Sequence, residues 1–228
     1  DGVARSSIII DPPNGRVPAL TDAGKKRLAE IPARGRRFGE FDHPEMRPLA
    51  DRCIISFGSN AGPPMLPNYF YNNNYTIVQT RDHVMILTEM NHDARIIRIG
   101  DSKHLPSSVR PWFGDSMGRW EGDTLVVETT NIHPMQREQN AILWAYRGAS
   151  ENHKVTERFT RTGPDTIVYR FTMEDPTVFT APFTGELAFT KMDEMIYEYA
   201  CHEGNYAMTN ILQGERSKER VAAEQKKQ

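Results

Sequence analysis

The sequence predicts a mainly β domain, an antiparallel barrel or strongly curved sheet of lipocalin-like kind with few short helices. Two observations carry that reading. Short runs rich in Val, Ile, Leu, Thr and aromatic residues recur between compact polar turns, and nowhere does a strand pattern alternate with a helical one. The clearest case spans residues 75–99. There Tyr75–Thr80, His83–Glu89 and Ala94–Ile99 are separated only by Arg81-Asp82 and Met90–Asp93, the spacing of three consecutive antiparallel strands.

From the start of the chain, Ser6–Ile10 reads as a short strand and Asp11–Gly15 (DPPNG) as a turn. Thr21-Asp22 then caps a polar helix from Ala23 to about Ile31, ending before Pro32. Residues 34–52 carry charge, Pro and Gly without periodicity, so residues 1–52 read as a strap on a single domain of 228 residues. Cys53–Phe57 is a short apolar strand, and Gly58–Asn68 is a Gly/Pro loop that leads into the aromatic and amide cluster at 69–74.

After the central three strands, Gly100–Gly118 reads as a long loop, and Arg119–Glu121 pairs with Thr124–Thr130 across Gly122-Asp123. Two more hairpins follow: Lys154–Arg161 with Thr166–Met173, and Glu186–Thr190 with Glu194–Ala200. Tyr169 and Phe171 share one face with Ile167 while Arg170 lies opposite, which places the aromatics inside. Gly204–Gln213 forms a short helix, and the charged residues 214–228 fray.

Composition excludes several partners. A net charge of −2 with Lys and Arg scattered leaves no basic stripe for a phosphate backbone, so nucleic acid is not expected. No apolar run is long enough to span a bilayer, and the opening DGVARSS has no apolar signal core; a soluble protein is expected, its export signal removed or absent. GSNAG at Gly58–Gly62 lacks the Lys-Ser/Thr of a phosphate loop, and GDSMG around Ser116 has its glycines misplaced for a serine nucleophile.

Two sets of chemically active residues stand at strand ends. Glu89, Asn91, His92, Asp93 and Arg95 lie within seven positions, and Cys201, His202, Glu203, Asn205 and Tyr206 form the other set. In a barrel each strand end lies at one of two rims. On a shared rim, His92 and His202 would transfer protons, Glu89, Asp93 or Glu203 would orient the imidazoles, and Arg95 would hold an anionic group. The bland alternative makes Asp93–Arg95 a salt-bridged turn and His202 a satisfied polar residue. His92, His202 and Glu89 also offer a divalent metal two imidazoles and a carboxylate, but the spacing of HDAR and CHEG is not that of known zinc motifs; neither metal nor organic cofactor is expected. Tyr71, Trp112 and Trp120, each in or beside a Gly/Pro segment, are expected to wall a pocket, with Glu128 and Tyr199 adding polar contacts.

Several blocks resemble a widespread family of uncharacterised, mostly exported bacterial proteins. They are IIIDPPNGRVPALT at Ile8–Thr21, NNNYTIVQT at Asn72–Thr80, EMNHDARIIRI at Glu89–Ile99, WFGDSMGRWEGDTLVVETTN at Trp112–Asn131 and YEYACHEGNYAMTNIL at Tyr197–Leu212. The connection at 132–148 looks longer and more aromatic than in such relatives, so specificity is expected to differ there. By themselves Cys53 and Cys201 are two thiols that either pair or stand apart; the resemblance implies a periplasmic or secreted protein, and so a Cys53–Cys201 bridge.

The resulting expectation is an exported small-molecule enzyme of lyase, isomerase or hydratase type, working by acid-base chemistry in a barrel mouth. The alternative is a lipocalin-like carrier of an apolar or aromatic molecule, and a third is a structural or interaction protein whose interior is filled.

Overall fold

The computed structural model describes residues 5–56, 60–66, 71–100, 103–138 and 150–226. Nine strands make one curved sheet: β1 (Ile9–Asp11), β2 (Tyr75–Gln79), β3 (His83–Thr88), β4 (Ala94–Ile99), β5 (Asp115–Glu121), β6 (Thr124–Thr130), β7 (Lys154–Gly163), β8 (Thr166–Glu174) and β9 (Phe183–Thr190). Their order across the sheet is β1-β9-β8-β7-β6-β5-β4-β3-β2. Every pairing is antiparallel except β4 with β5. Among the described residues there are two α-helices, α1 (Asp22–Arg37) and α2 (Ala207–Gln225). Among the described residues no helix is long and apolar enough to cross a membrane.

Alternation builds the inner face. Val84 and Ile86 of β3, Ile97 of β4, Leu125 and Val127 of β6, Val155 and Phe159 of β7, and Tyr169, Phe171 and Met173 of β8 are buried together in one core. Each such apolar side chain contributes about 1.5–3 kcal/mol relative to exposure. Gly185 of β9 stands opposite Phe171, and a Cβ there would lie 2.3 Å from that ring, so the aromatic takes the space a side chain would need.

The sheet curls until its two ends approach. The rings of Tyr75 on β2 and Phe189 on β9 stack with centroids 5.5 Å apart, yet no backbone ladder joins these strands, and the sheet is not closed into a barrel. Among the described residues β2 pairs only with β3, and β1 covers only the first half of β9, through Gly185 and Thr184. A seam therefore runs between β2 and the Leu187–Thr190 half of β9, and residues 191–196 lie along it.

Several sequence expectations need correction. Cys53 has φ +54, which no extended strand accepts, and the chain turns at 53–55 rather than forming a strand; Phe57 lies outside the described residues. Residues 115–118, expected as loop, are the first half of β5. Because β4 and β5 run parallel, the connection 100–114 must carry the chain from one rim back to the other, a geometry that leaves no local signal in the sequence.

No strand forms at 194–200. β1 already holds the far half of the β9 edge, and the segment is drawn away to Cys201, which is bonded to Cys53. Helix α1 runs past Pro32, where one missing N–H is outweighed by helix-forming Ala and Arg on either side. Helix α2 continues to Gln225 instead of fraying at 214: residues 215–225 are rich in Glu, Lys, Arg and Ala, with Glu215–Lys218 and Arg216–Glu219 ion pairs at 3.1 and 2.9 Å. Arg216 also reaches Asp42 at 3.5 Å, which ties this helix to the N-terminal strap.

Candidate functional site

The inner face encloses a cleft of about 1020 Å³ that opens along the seam. Its walls are Val84 and Ile86 of β3, Leu125 of β6, Phe159 of β7, Ile167 of β8 and Phe189 of β9, with Tyr75 and Ile77 of the edge strand β2. Polar residues stand around it: Asn73, Asn74, Asp123, Arg161, Asp165 and Lys191, with Trp120 half exposed among them. An apolar floor with a few polar groups at the edge is the usual make-up of a small-molecule site.

Beneath that floor lies the most buried polar cluster of the fold. Arg95 of β4 reaches across the interior to Glu157 of β7: Nη1 donates to Oε1 at 3.2 Å and Nη2 to Oε2, with both side chains at 2% exposure or less. The Tyr169 hydroxyl donates to Glu157 Oε1 at 2.8 Å and accepts from the Met65 backbone N–H at 2.7 Å. Arg95 Nη1 also donates to the Ala61 carbonyl at 3.2 Å. Residues 60–66 are thus an inserted loop plugging one end of the interior, and Arg95 and Tyr169 satisfy two of its backbone groups. Gly62, at φ +77, lies against the guanidinium; a Cβ there would sit 2.6 Å from Nη1. Burial pushes the Tyr169 and Tyr75 hydroxyls well above the usual phenol range. The Tyr75 hydroxyl donates to the Asn60 carbonyl at 3.0 Å, another tie between plug and sheet.

The turn between β3 and β4 is built separately. Asn91 and His92 both take left-handed backbone conformations, φ +60 and +46. Asp93 is buried and accepts from the Ser56 N–H at 2.6 Å and the Asn91 amide at 3.3 Å; burial raises its carboxyl above the usual range, against those two hydrogen bonds. Glu89 accepts from the Asn74 amide at 2.7 Å. His92 is exposed, with Nδ1 2.9 Å from the Tyr199 carbonyl and its ring centroid 6.1 Å from that of His202. Cys53 and Cys201 are disulfide-bonded, their Cα atoms 5.7 Å apart, so the bridge fixes the residue next to His202. Glu203 is exposed.

The turn and the C-terminal segment therefore do come together, but without Arg95. Strand alternation turns Arg95 inward, to Glu157, so the expected joint set of imidazoles, carboxylates and guanidinium is not assembled. The alternative Asp93–Arg95 salt bridge is not formed either, since Asp93 serves Ser56. The His92 turn and the cleft's Trp120–Asp123 side also lie at opposite rims: β3 begins at the Asp82 turn, level with the Gly122 turn, and ends at Thr88.

Of the expected wall residues, Trp120 lines the cleft. Trp112 does not: it packs on His133 at 4.1 Å, and its carbonyl accepts from the buried Gln136 at 2.5 Å. Tyr71 is exposed and hydrogen-bonds Tyr199, whose hydroxyl is raised by burial and by that contact. Glu128 points to the outer face, 2.6 Å from Lys154 and 3.4 Å from His104. Lys154 is what chiefly holds its carboxyl below the ordinary range. Residues 139–148 of the connection expected to alter specificity lie outside the described residues.

Sequence reasoning missed Glu157, Tyr75 and Phe189. For Glu157 a signal existed: in VTERF it falls in phase with Val155 and Phe159, on the buried side of β7. No family model, no curated protein and no solved structure matches the chain.

Proposed function

We propose that this protein is a lipocalin-like carrier, a barrel left unclosed along one seam, which holds an apolar or aromatic small molecule in its cleft. The observation that carries this is the cleft itself: about 1020 Å³, floored by Phe159, Phe189, Ile86 and Leu125, with polar groups confined to its edge. Its size suits a ligand of drug-like dimensions, and stacked aromatics at Tyr75 and Phe189 favour a planar one. The disulfide and the blocks resembling exported bacterial proteins support a periplasmic or secreted carrier.

The acid-base reading keeps one observation, the juxtaposed imidazoles of His92 and His202. It ranks second because the guanidinium assigned to the substrate is committed to Glu157.

The test is a titration with N-phenyl-1-naphthylamine, an apolar dye that fluoresces in dry sites. Saturable binding by the native protein, weakened at least about tenfold by Ile167→Trp and unchanged by Val109→Trp outside the cleft, is the expected result. Equal affinity in both variants refutes the carrier site.

A further inference from the structure

The surface formed by the β3–β4 turn and the segment after the disulfide holds a pair of histidines whose chemistry the cleft does not use. His92 Nδ1 lies 2.9 Å from the Tyr199 carbonyl. A carbonyl only accepts, so Nδ1 carries the proton, and in the neutral ring of this exposed residue Nε2 keeps the lone pair. That is the arrangement found for metal-bound histidine, where a backbone carbonyl fixes the tautomer and orients the ring.

His202 supplies the second imidazole. Two imidazoles on one ion place their ring centres at most about 6 Å apart, and about 5 Å at tetrahedral angles, given metal–nitrogen bonds of about 2.0–2.1 Å. The observed 6.1 Å is at the outer end of that reach. His202 is exposed, so a modest side-chain rotation brings it in.

The backbone beneath each ring is anchored by more than its own chain segment. The left-handed backbone at Asn91 and His92 costs free energy that a plain polar turn would avoid, and Asp93, buried beneath, clamps it through Asn91 and Ser56. On the other side, Cys201 is bonded to Cys53, and the Asn205 amide donates to Cys53 Sγ at 3.1 Å. The two imidazoles thus meet across elements that are far apart in sequence, each anchored within a residue or two.

We infer that His92 and His202 form a surface site for a borderline divalent cation, Cu²⁺ most strongly, then Ni²⁺ or Zn²⁺. Among the described residues no third His, Cys, Asp or Glu joins them, so water completes the coordination, and imidazole nitrogen sets the preference. Calcium and magnesium, which take oxygen ligands, do not bind there.

The test uses the oxidised full chain after chelator treatment, titrated calorimetrically with CuCl₂ and followed by electron paramagnetic resonance. One equivalent binds, with hyperfine structure from two imidazole nitrogens; His92→Ala and His202→Ala each weaken binding at least about tenfold and remove one nitrogen. His83→Ala, exposed at the other rim, changes neither readout. Circular dichroism of the two variants matches the native protein, since both side chains are on the surface. Absence of a saturable equivalent, or binding indifferent to both substitutions, overturns the site.

Discussion

Arg95 and Glu157 stand three strands apart in the sheet order, on β4 and β7, and still meet as a buried ion pair because the sheet curls over its own interior. Removing one partner leaves the other charge buried alone. Arg95→Met or Glu157→Gln should each cost about 3–5 kcal/mol in urea unfolding. The double variant Arg95→Met/Glu157→Gln should cost less than the sum of the two single changes. Additive losses would mean that the pair is not coupled in solution.

Gly62 offers a gentler probe of the same place. Gly62→Ala places a methyl 2.6 Å from Arg95 Nη1 at φ +77, so a loss of about 1–3 kcal/mol is expected, with the plug shifted. Tyr169 would register that shift through its hydrogen bond from Met65; its ring resonances should move in the spectrum of the variant.

His153 makes a pH prediction. It is buried near Asp175, and burial lowers its pKa from 6.5 to about 4, with the Asp175 carboxylate opposing. In the unfolded chain the imidazole takes up a proton near pH 6.5. The folded protein resists that uptake until about pH 4. Stability from this residue is therefore fully present above pH 6.5 and is lost as the pH falls toward 4. A His153→Phe variant should show a flatter dependence of Tm on pH across that window. Asp93, whose carboxyl is raised by burial, acts in the opposite sense, its cost easing as the solution becomes acidic.

The Cys53–Cys201 bridge spans 148 positions, and in the chain-entropy model a loop of that length stabilises by up to about 5 kcal/mol. Alkylation before and after reduction, read by mass, should differ by two thiols. The Cys53→Ala/Cys201→Ala protein should unfold at lower urea and carry His202 with less order. Two thiols freely alkylated in the oxidised protein would remove the bridge and the compartment argument with it.

The strands legible in the sequence are those whose pairing is local. Tyr75–Gln79 with His83–Thr88, and Lys154–Gly163 with Thr166–Glu174, announce themselves by alternation and a short turn. The parallel pairing of Ile97 with Ser116 has no such mark, because a long connection decides it. Residues 194–200 have strand composition and no strand, since the neighbouring edge and the disulfide, both remote in sequence, claim the chain first. The same limit applies to the site. The sequence places His92 and His202 at strand ends able to share a rim, and they meet. Proximity in sequence groups Arg95 with them, although it lies in phase with Ile97 and so on the buried side of β4. Its true partner is 62 positions away, and only the curvature of the sheet brings it near.

The seam between β2 and the second half of β9 has a kinetic consequence. In a closed barrel a guest that is wider than the mouth must wait for strands to part, which breaks several backbone hydrogen bonds together. Here the Tyr75–Gln79 edge faces Leu187–Thr190 without a ladder, and residues 191–196 lie along the gap. On the carrier reading, a guest would enter sideways past that short segment, on the nanosecond-to-microsecond scale of loops rather than that of local unfolding. For such a carrier, capture would be fast, and residence would be set by aromatic contact inside rather than by the parting of paired strands.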